Sequence, residues 1–486
     1  MTTHTAAADR PRFGSTSRML SESITSGLVA LGDAFLVLVS GLLICLYYVQ
    51  PVPGELPRYV TVLLIVAYML VQSFYIAGLY RFSAISTPSR QIGKITSIST
   101  VIFLLVVAAA YALKASDQFS RVWLFSTAVV SVGLICVARS ATLAILRRLA
   151  AKGRLVKNIM IYGTGEQAER FIANLRQMDE PWNRVVGVFD DRQRDVEQNQ
   201  DIAGTPFLGD LDDLIRRARE QYADDIVVAL PWSATTRIWE VLHALKILPA
   251  NIRLAPEPSW LGILSRRIDY QYNVPLASVF DKPLSGWRAI IKRAFDFVVT
   301  ALCLLLISPL LLTLMLWVKL DSKGPIFFRQ KRYGFNNEVF DVWKLRTMYV
   351  DQQDADAEKL ATVDDPRVTR AGRFLRRSSL DELPQLFNVL AGDMSLVGPR
   401  PHALKAKAAG ELYQDAVGEY AARHKVRPGI TGWAQVNGWR GETDTREKIL
   451  KRVEHDLYYI DNWSVWLDVR ILLRTVPALL KPENAY

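Results

Sequence analysis

The run Phe297–Val318, FVVTALCLLLISPLLLTLMLWV, decides the architecture of this 486-residue chain. It is apolar over the ~20 residues that a hydrocarbon core demands of a helix. Lys292, Arg293 and Asp296 precede it, and Lys319, Asp321 and Lys323 follow it. Ser308 and Pro309 sit at its middle. Proline lacks an N–H and its ring clashes with the preceding turn, so a helix–break–helix is expected there. A straight crossing would carry residues 321–486 to the far side of the membrane, which positive flanks at both ends oppose. A re-entrant helix over residues 292–320, entering and returning on one face, satisfies both observations. An ordinary kinked transmembrane helix is the alternative. Lys292 and Arg293 at the mouth suit lipid head groups, worth about 1 kcal/mol each near an anionic leaflet. Asp296 can pair with Arg293 to steady the broken helix.

Upstream lie four more runs of spanning length: Gly27–Val49, Val60–Tyr80, Ser97–Leu113 and Val122–Leu146. Asp33 is their main charge, expected in the first turns of its helix, where the cost is below that at mid-bilayer. The tail carries Arg10, Arg12 and Arg18, the second loop Arg81, Arg90 and Lys94, and the exit Arg147, Arg148, Lys152, Arg154 and Lys157. The other two loops are poorer in cations, so both ends of the bundle are read as cytoplasmic. With so few internal polar residues, the four helices make an anchor rather than a transport path. Half of the chain is hydrophobic, which excludes a disordered protein. Cys45, Cys136 and Cys303 lie in apolar runs without CxxC spacing, which excludes a disulfide scaffold or a zinc cluster.

Residues 155–280 alternate strand and helix. Lys157–Tyr162 reads as a strand, followed by the turn Gly163-Thr164-Gly165-Glu166-Gln167-Ala168 and a helix to about Met178. Val185–Phe189 is a second strand, ending at Asp190 and Asp191. A helix around Leu211–Tyr222 and a strand Asp225–Leu230 come later. This order implies a parallel, Rossmann-like sheet. The G-x-G-x-x-A turn could seat a pyrophosphate, and an acid after the second strand could hold a ribose. No Tyr-x-x-x-Lys pair follows, so a structural or regulatory domain is the preferred reading over a working dinucleotide site.

From Arg288 onward Arg, Gly and Pro stand at fixed points. Gly324-Pro325 leads to Phe327-Phe328-Arg329-Gln330-Lys331-Arg332-Tyr333-Gly334 and then Val342-Trp343-Lys344-Leu345-Arg346-Thr347. Asp364-Asp365-Pro366-Arg367 and Gly372-Arg373 precede Arg376-Arg377 and Ser379-Leu380-Asp381-Glu382-Leu383-Pro384-Gln385, running into Asn388. Ser395-Leu396-Val397-Gly398-Pro399-Arg400-Pro401 and Arg427-Pro428-Gly429-Ile430-Thr431-Gly432 follow. Over residues 288–480 the chain resembles the bacterial sugar transferases, polyprenyl-phosphate glycosyl-1-phosphate transferases with a membrane-re-entrant catalytic domain. Larger members also carry a four-helix bundle and a Rossmann-like middle domain.

On their own, Asp381 and Glu382 could be a solvated acidic pair or partners of Arg376 and Arg377. Neighbours on a helix point ~100° apart, so the two carboxylates need not share a role. The resemblance implies that Asp381 attacks the β-phosphate of a UDP-sugar, releases UMP and passes a covalent phosphosugar to polyprenyl phosphate. It implies that Glu382 helps to hold Mg²⁺, together with Asp381, or handles a proton at the lipid phosphate. Arg376 resembles the arginine for the polyprenyl phosphate, and Arg400 the one near the nucleotide diphosphate. Lys344, Arg346 and Gln385 are further substrate-binding candidates. Arg329, Arg332 and Arg427 are substrate-binding candidates as well, although they stand beside Gly or Pro turns and can be partly structural. His402, His424 and His455 lack metal-ligand spacing. Leu457–Leu480 reads as an interfacial amphipathic stretch or as core.

The chain therefore divides into a tail 1–26, a four-helix bundle 27–150, a Rossmann-like domain 151–280 and a catalytic α/β domain 288–486. The expected enzyme sits in the bacterial cytoplasmic membrane with its soluble parts inside, and a dimer is plausible by likeness. It moves hexose 1-phosphate, glucose first, to undecaprenyl phosphate to prime exopolysaccharide or capsule synthesis. Galactose or an N-acetyl sugar is the alternative, and a non-catalytic scaffold or an NAD-dependent nucleotide-sugar enzyme the rival from another class. The formal charge of +11 is shared between topology and this site, so nucleic acid drops out as a partner.

Overall fold

The computed structural model describes residues 21–480, apart from 53, 154, 179, 194–200, 256–267, 272–273, 353–364, 403, 405–406, 409–410, 413–419, 440 and 442–444. The readings placed on Arg10, Arg12, Arg18, Arg154 and Asp364 lie outside the described residues. The chain forms two compact units, Met1–Val156 and Lys157–Tyr486.

The first unit is helical. α1 (Glu22–Ile44, prolonged by a π-helical turn Cys45–Val49), α2 (Leu56–Ile76), α3 (Ile92–Ala112) and α4 (Arg121–Ala151) are each long and apolar enough to cross a membrane. Ser21 and Ser120 start α1 and α4 by accepting from the backbone N–H groups of Ile24 and Trp123. Val37, Val66, Leu70, Phe74, Ile95, Ile102 and Ile135 pack between the helices, while Leu31, Phe35, Leu104 and Phe125 face outward. Asp33 does not sit in the first turns of α1. It lies midway along the helix and is buried against a charge in the fourth run, with Arg139 Nη2 at 2.7 Å and the Tyr80 hydroxyl donating at 3.0 Å. An unpaired carboxylate there would be costly, so the arginine answers it.

In the second unit, β1 (Lys157–Tyr162), α5 (Glu166–Gln177), β2 (Asn183–Phe189), α6 (Leu211–Glu220), β3 (Asp225–Val228), α7 (Thr235–Leu245), β4 (Asn251–Leu254), β5 (Ile268–Gln271) and β6 (Val274–Phe280) build one sheet of order β2-β1-β3-β4-β6-β5. The first four strands run parallel, and β6 joins β4 antiparallel. Gly163 leaves β1 at φ 118°, where a Cβ would lie 2.5 Å from the Ala229 carbonyl oxygen, so only glycine fits. The acid after β2 is spent on this turn. Asp190 accepts from Thr164 N at 3.1 Å and Thr164 Oγ1 at 2.9 Å.

Then come α8 (Gly286–Asp321), the antiparallel pair β7 (Phe327–Tyr333) and β8 (Val339–Leu345), α9 (Arg370–Ser378), α10 (Gln385–Ala391), the parallel pair β9 (Ser395–Val397) and β10 (Gly429–Thr431), α11 (Arg446–Asp461) and α12 (Val465–Leu480). The expected break at Ser308 and Pro309 is absent, because α8 is one helix through Pro309. Pro309 cannot donate to the Leu305 carbonyl. The Ser308 hydroxyl donates to it instead, at 2.9 Å, and the helix continues.

Both ends of α8 are tied to the folded part of this unit, through residues that the sequence reading assigned to lipid or substrate. Lys292, read with Arg293 as suited to lipid head groups, lies inside the unit beside Asp296. Both are buried, with Lys292 Nζ bonded to Asp296 at 3.0 Å and to Asp468 of α12 at 2.8 Å. Asp296 pairs with Lys292 rather than Arg293, and also accepts from Ser395 Oγ at 2.7 Å. Arg293 donates to the carbonyls of Val389 and Leu390 at the end of α10. Arg346 is 1% exposed and donates to the carbonyls of Val318, Ser322 and Lys323 at the end of α8. Guanidinium groups suit helix C-termini, where carbonyls lack partners and the dipole is negative.

Candidate active site

Asp381 and Glu382 lie in a single 3₁₀ turn, Leu380–Glu382, between α9 and α10. Ser379 enters it in the left-handed region at φ 57°, which ends α9 and turns the chain sharply. α9 can lie against the segment after β8 because residue 372 is glycine; a Cβ there would be 2.1 Å from the Thr347 carbonyl oxygen. Asn388 of α10 fastens the hairpin from the other side. Its Oδ1 accepts from Trp343 N at 3.0 Å and its Nδ2 donates to the Asp341 carbonyl at 2.8 Å.

The two acids have different surroundings. Glu382 is clamped: Lys344 Nζ lies 3.1 Å from Oε1 and Arg400 Nη2 2.6 Å from the same atom. Asp381 is 9% exposed, and its carboxylate carries no hydrogen bond from the described residues. Burial therefore pushes Asp381 above the ordinary carboxylate range, against the pull of Lys344, Arg376 and Arg400 and with the repulsion of Glu382. Burial also opposes the charge on Glu382, but Arg400, Lys344 and Arg332 outweigh it and hold Glu382 well below its usual value. One carboxylate is locked as an anion; the other is desolvated and uncommitted.

The cations sort by strand parity. Successive side chains on β7 and β8 point to opposite faces, and the register pairs Lys344 with Phe328, Val342 with Gln330 and Phe340 with Arg332. Lys344 and Arg332 thus share the face of the acids. Arg332 is held there by the Pro401 carbonyl at 2.6 Å and Gln330 Oε1 at 2.9 Å, and burial lowers its pKa to about 10. Arg329 falls on the other face, exposed, stacked 4.6 Å over the Trp343 ring. It does not join the site. Arg376 Nε donates to Thr347 Oγ1 at 2.9 Å, and its charge acts on Asp381. Gln385 is buried at the start of α10. The electrostatic neighbours of Arg427 include Arg293, Asp296 and Asp393.

Among the described residues no third acid, His or Cys joins the pair as a metal cluster. Mg²⁺ is commonly held by one or two carboxylates with substrate phosphates supplying the rest. An uncommitted Asp381 carboxylate beside Glu382 fits that mode.

Residues 287–482 match the family described as bacterial sugar transferase. An undecaprenyl-phosphate glucose phosphotransferase of Komagataeibacter xylinus is 35% identical over 472 residues, covering 94% of this chain and 85% of that protein. The chain belongs to the bacterial sugar transferase family. A UDP-glucose:undecaprenyl-phosphate glucose-1-phosphate transferase of Escherichia coli K12 is 42% identical, over 74% of this chain and 75% of its own length. An undecaprenyl-phosphate galactose phosphotransferase of Salmonella typhimurium is 30% identical, over 80% of this chain and 81% of its own length. Residues 75–256 of this bacterial sugar transferase also match a family described as a CoA-binding domain.

The fold brings to this bacterial sugar transferase site two residues that no sequence signal singled out, Arg423 and Asp456, and sets His402 beside them. Arg423 and Asp456 are 33 positions apart and form a buried ion pair at 2.6 Å. Arg423 Nη2 also donates to the Arg400 carbonyl at 2.8 Å. His402 lies between Arg423 and Arg452, where burial and both guanidinium charges hold it neutral.

Proposed function

We propose that this enzyme transfers glucose 1-phosphate from UDP-glucose to undecaprenyl phosphate, releasing UMP, as the first step of a surface polysaccharide. The observation that carries the mechanism is the unequal pair, with Glu382 clamped by Lys344 and Arg400 and Asp381 buried without a hydrogen bond from the described residues.

An Asp381 carboxylate oxygen attacks the β-phosphorus. A phosphorus–oxygen bond forms, the bond from that phosphorus to the bridging oxygen breaks, and UMP leaves. The lipid phosphate oxygen then attacks the same phosphorus and displaces Asp381, regenerating the carboxylate. Splitting one displacement between two polyanions into two steps is covalent catalysis. A desolvated carboxylate is a stronger nucleophile than a hydrated one, and Lys344, Arg376 and Arg400 offset the charge of both substrates. Asp381 and Glu382 would hold Mg²⁺ with the diphosphate, and the ion would neutralise phosphate charge.

The reading places the acids at the inner face of the cytoplasmic membrane. Support comes from α8, whose 36 residues would measure about 54 Å if straight. Its start is bonded to α10 and α12 and its end to Arg346 beside β8. A helix with both ends on one domain can enter and leave on one side of a bilayer only if it bends within the membrane, and Pro309, without an N–H, is the place for such a bend. Galactose stays open as the sugar, because one of the similar enzymes is named for it.

The test incubates purified protein with a panel of UDP-sugars, Mg²⁺ and undecaprenyl phosphate and measures UMP. UDP-glucose should give the fastest release, and Asp381→Asn should abolish it. Full activity in that variant would sink the covalent route.

A further inference from the structure

The loop that carries Arg400 has unusual means of support. Pro399 and Pro401 flank the arginine and neither has an N–H to donate. Its main chain is held through carbonyl oxygens instead. Arg423 Nη2 donates to the Arg400 carbonyl at 2.8 Å, and Arg332 Nη1 to the Pro401 carbonyl at 2.6 Å. Arg423 is 1% exposed and its other bonds fix its plane: Nη2 to Asp456 Oδ2 at 2.6 Å and Nη1 to His402 Nδ1 at 2.6 Å. Asp456 is 2% exposed, on α11. A rigid path therefore runs from α11 through Asp456 and Arg423 to the backbone of residue 400. From that backbone the Arg400 side chain reaches Glu382 at 2.6 Å.

We propose that Arg423, fixed by Asp456, is a positioning residue for the transfer reaction: through the Arg400 carbonyl it keeps the Arg400 guanidinium against Glu382. This rests on the reading of Asp381 and Glu382 as the transfer site. Arg423 touches neither acid, so its effect passes through Arg400. An ångström of misplacement in such a group is worth about a hundredfold in rate. Arginine is required because one planar fork meets a carboxylate, a carbonyl and a ring nitrogen together, which a lysine point charge cannot.

The experiment is a double-mutant cycle on the full-length purified enzyme, with UMP release measured against UDP-sugar concentration. Arg423→Gln should lower kcat about a hundredfold and leave KM within about threefold, since binding of the nucleotide is not its task. Arg400→Gln should lower kcat at least as much. In the Arg400→Gln background, Arg423→Gln should cost less than about twofold, because the group it positions is already gone. Losses that multiply in the double variant would overturn the proposal. If Arg423→Gln does not fold, the near-isosteric Asp456→Asn is put through the same cycle, with the same two outcomes. A wild-type enzyme that releases no UMP from any UDP-sugar overturns the reaction assignment itself, and is told apart by needing no variant.

Discussion

Asp381 bears a cost that Glu382 does not. Burial raises its carboxyl, so the fold binds that proton more tightly than the unfolded chain does. Stability then falls as pH rises from the unfolded value near ~3.9 through the raised folded value, and stays reduced above it. Glu382 behaves oppositely: its folded value is depressed, so its contribution is present above ~4.3 and lost as pH falls through the folded value. Asp381→Asn should therefore melt higher at neutral pH by about 2–4 °C, the shift that ~1 kcal/mol gives in a domain of this size. The gain should vanish near pH ~3.5. Thermal unfolding in detergent without added divalent cation, over a pH series, checks it; an equal or lower melting point at neutral pH refutes it. The acids were legible in Ser379-Leu380-Asp381-Glu382-Leu383, but their inequality was not. It comes from Lys344 and Arg400, residues 38 and 18 positions away from Glu382.

The elements were read well where periodicity is strong and badly where one residue decides. A short apolar run announces β1 over Lys157–Tyr162, and an apolar face announces α6 from Leu211. Proline's missing donor at Pro309 does not break α8, because the neighbouring Ser308 hydroxyl serves the Leu305 carbonyl. Arg346 is a second case. As an arginine after a strand it resembles a phosphate ligand; in the fold it closes the end of α8. Arg346→Met should leave the Val318 and Ser322 carbonyls without that donor and cost about 3 kcal/mol of stability. The KM for the UDP-sugar of whatever folds should stay unchanged. A strong rise in KM with intact stability would return Arg346 to the substrate.

At the scale of the whole molecule, charge and hydrophobicity separate. Among the described residues, five apolar helices take the excess of hydrophobic residues. Basic residues gather in three places: the ends of the bundle helices, helix ends such as Val389–Leu390, and the acid pair. In the second unit the Asn336 amide donates to the Arg219 carbonyl at 2.9 Å, so the hairpin β7–β8 rests directly on α6 of the α/β sheet. The topology proposed above has a direct check. A single cysteine placed at Lys323, after removal of Cys45, Cys136 and Cys303, should react with an impermeant maleimide only in inverted membrane vesicles. Labelling in intact cells would make α8 a crossing helix.

The amino-acid sequence by itself determined the four-helix anchor, the fifth apolar run, the strand–helix alternation and the acidic pair, because each is a local pattern of period, length or spacing. Only the tertiary structure decided which cations serve that pair. A guanidinium is equally satisfied by a carboxylate, a helix-end carbonyl or an aromatic face, and the chain carries all three for Arg400, Arg346 and Arg329. Strand parity and the path of α8 make the choice, and both arise from contacts between residues far apart in sequence.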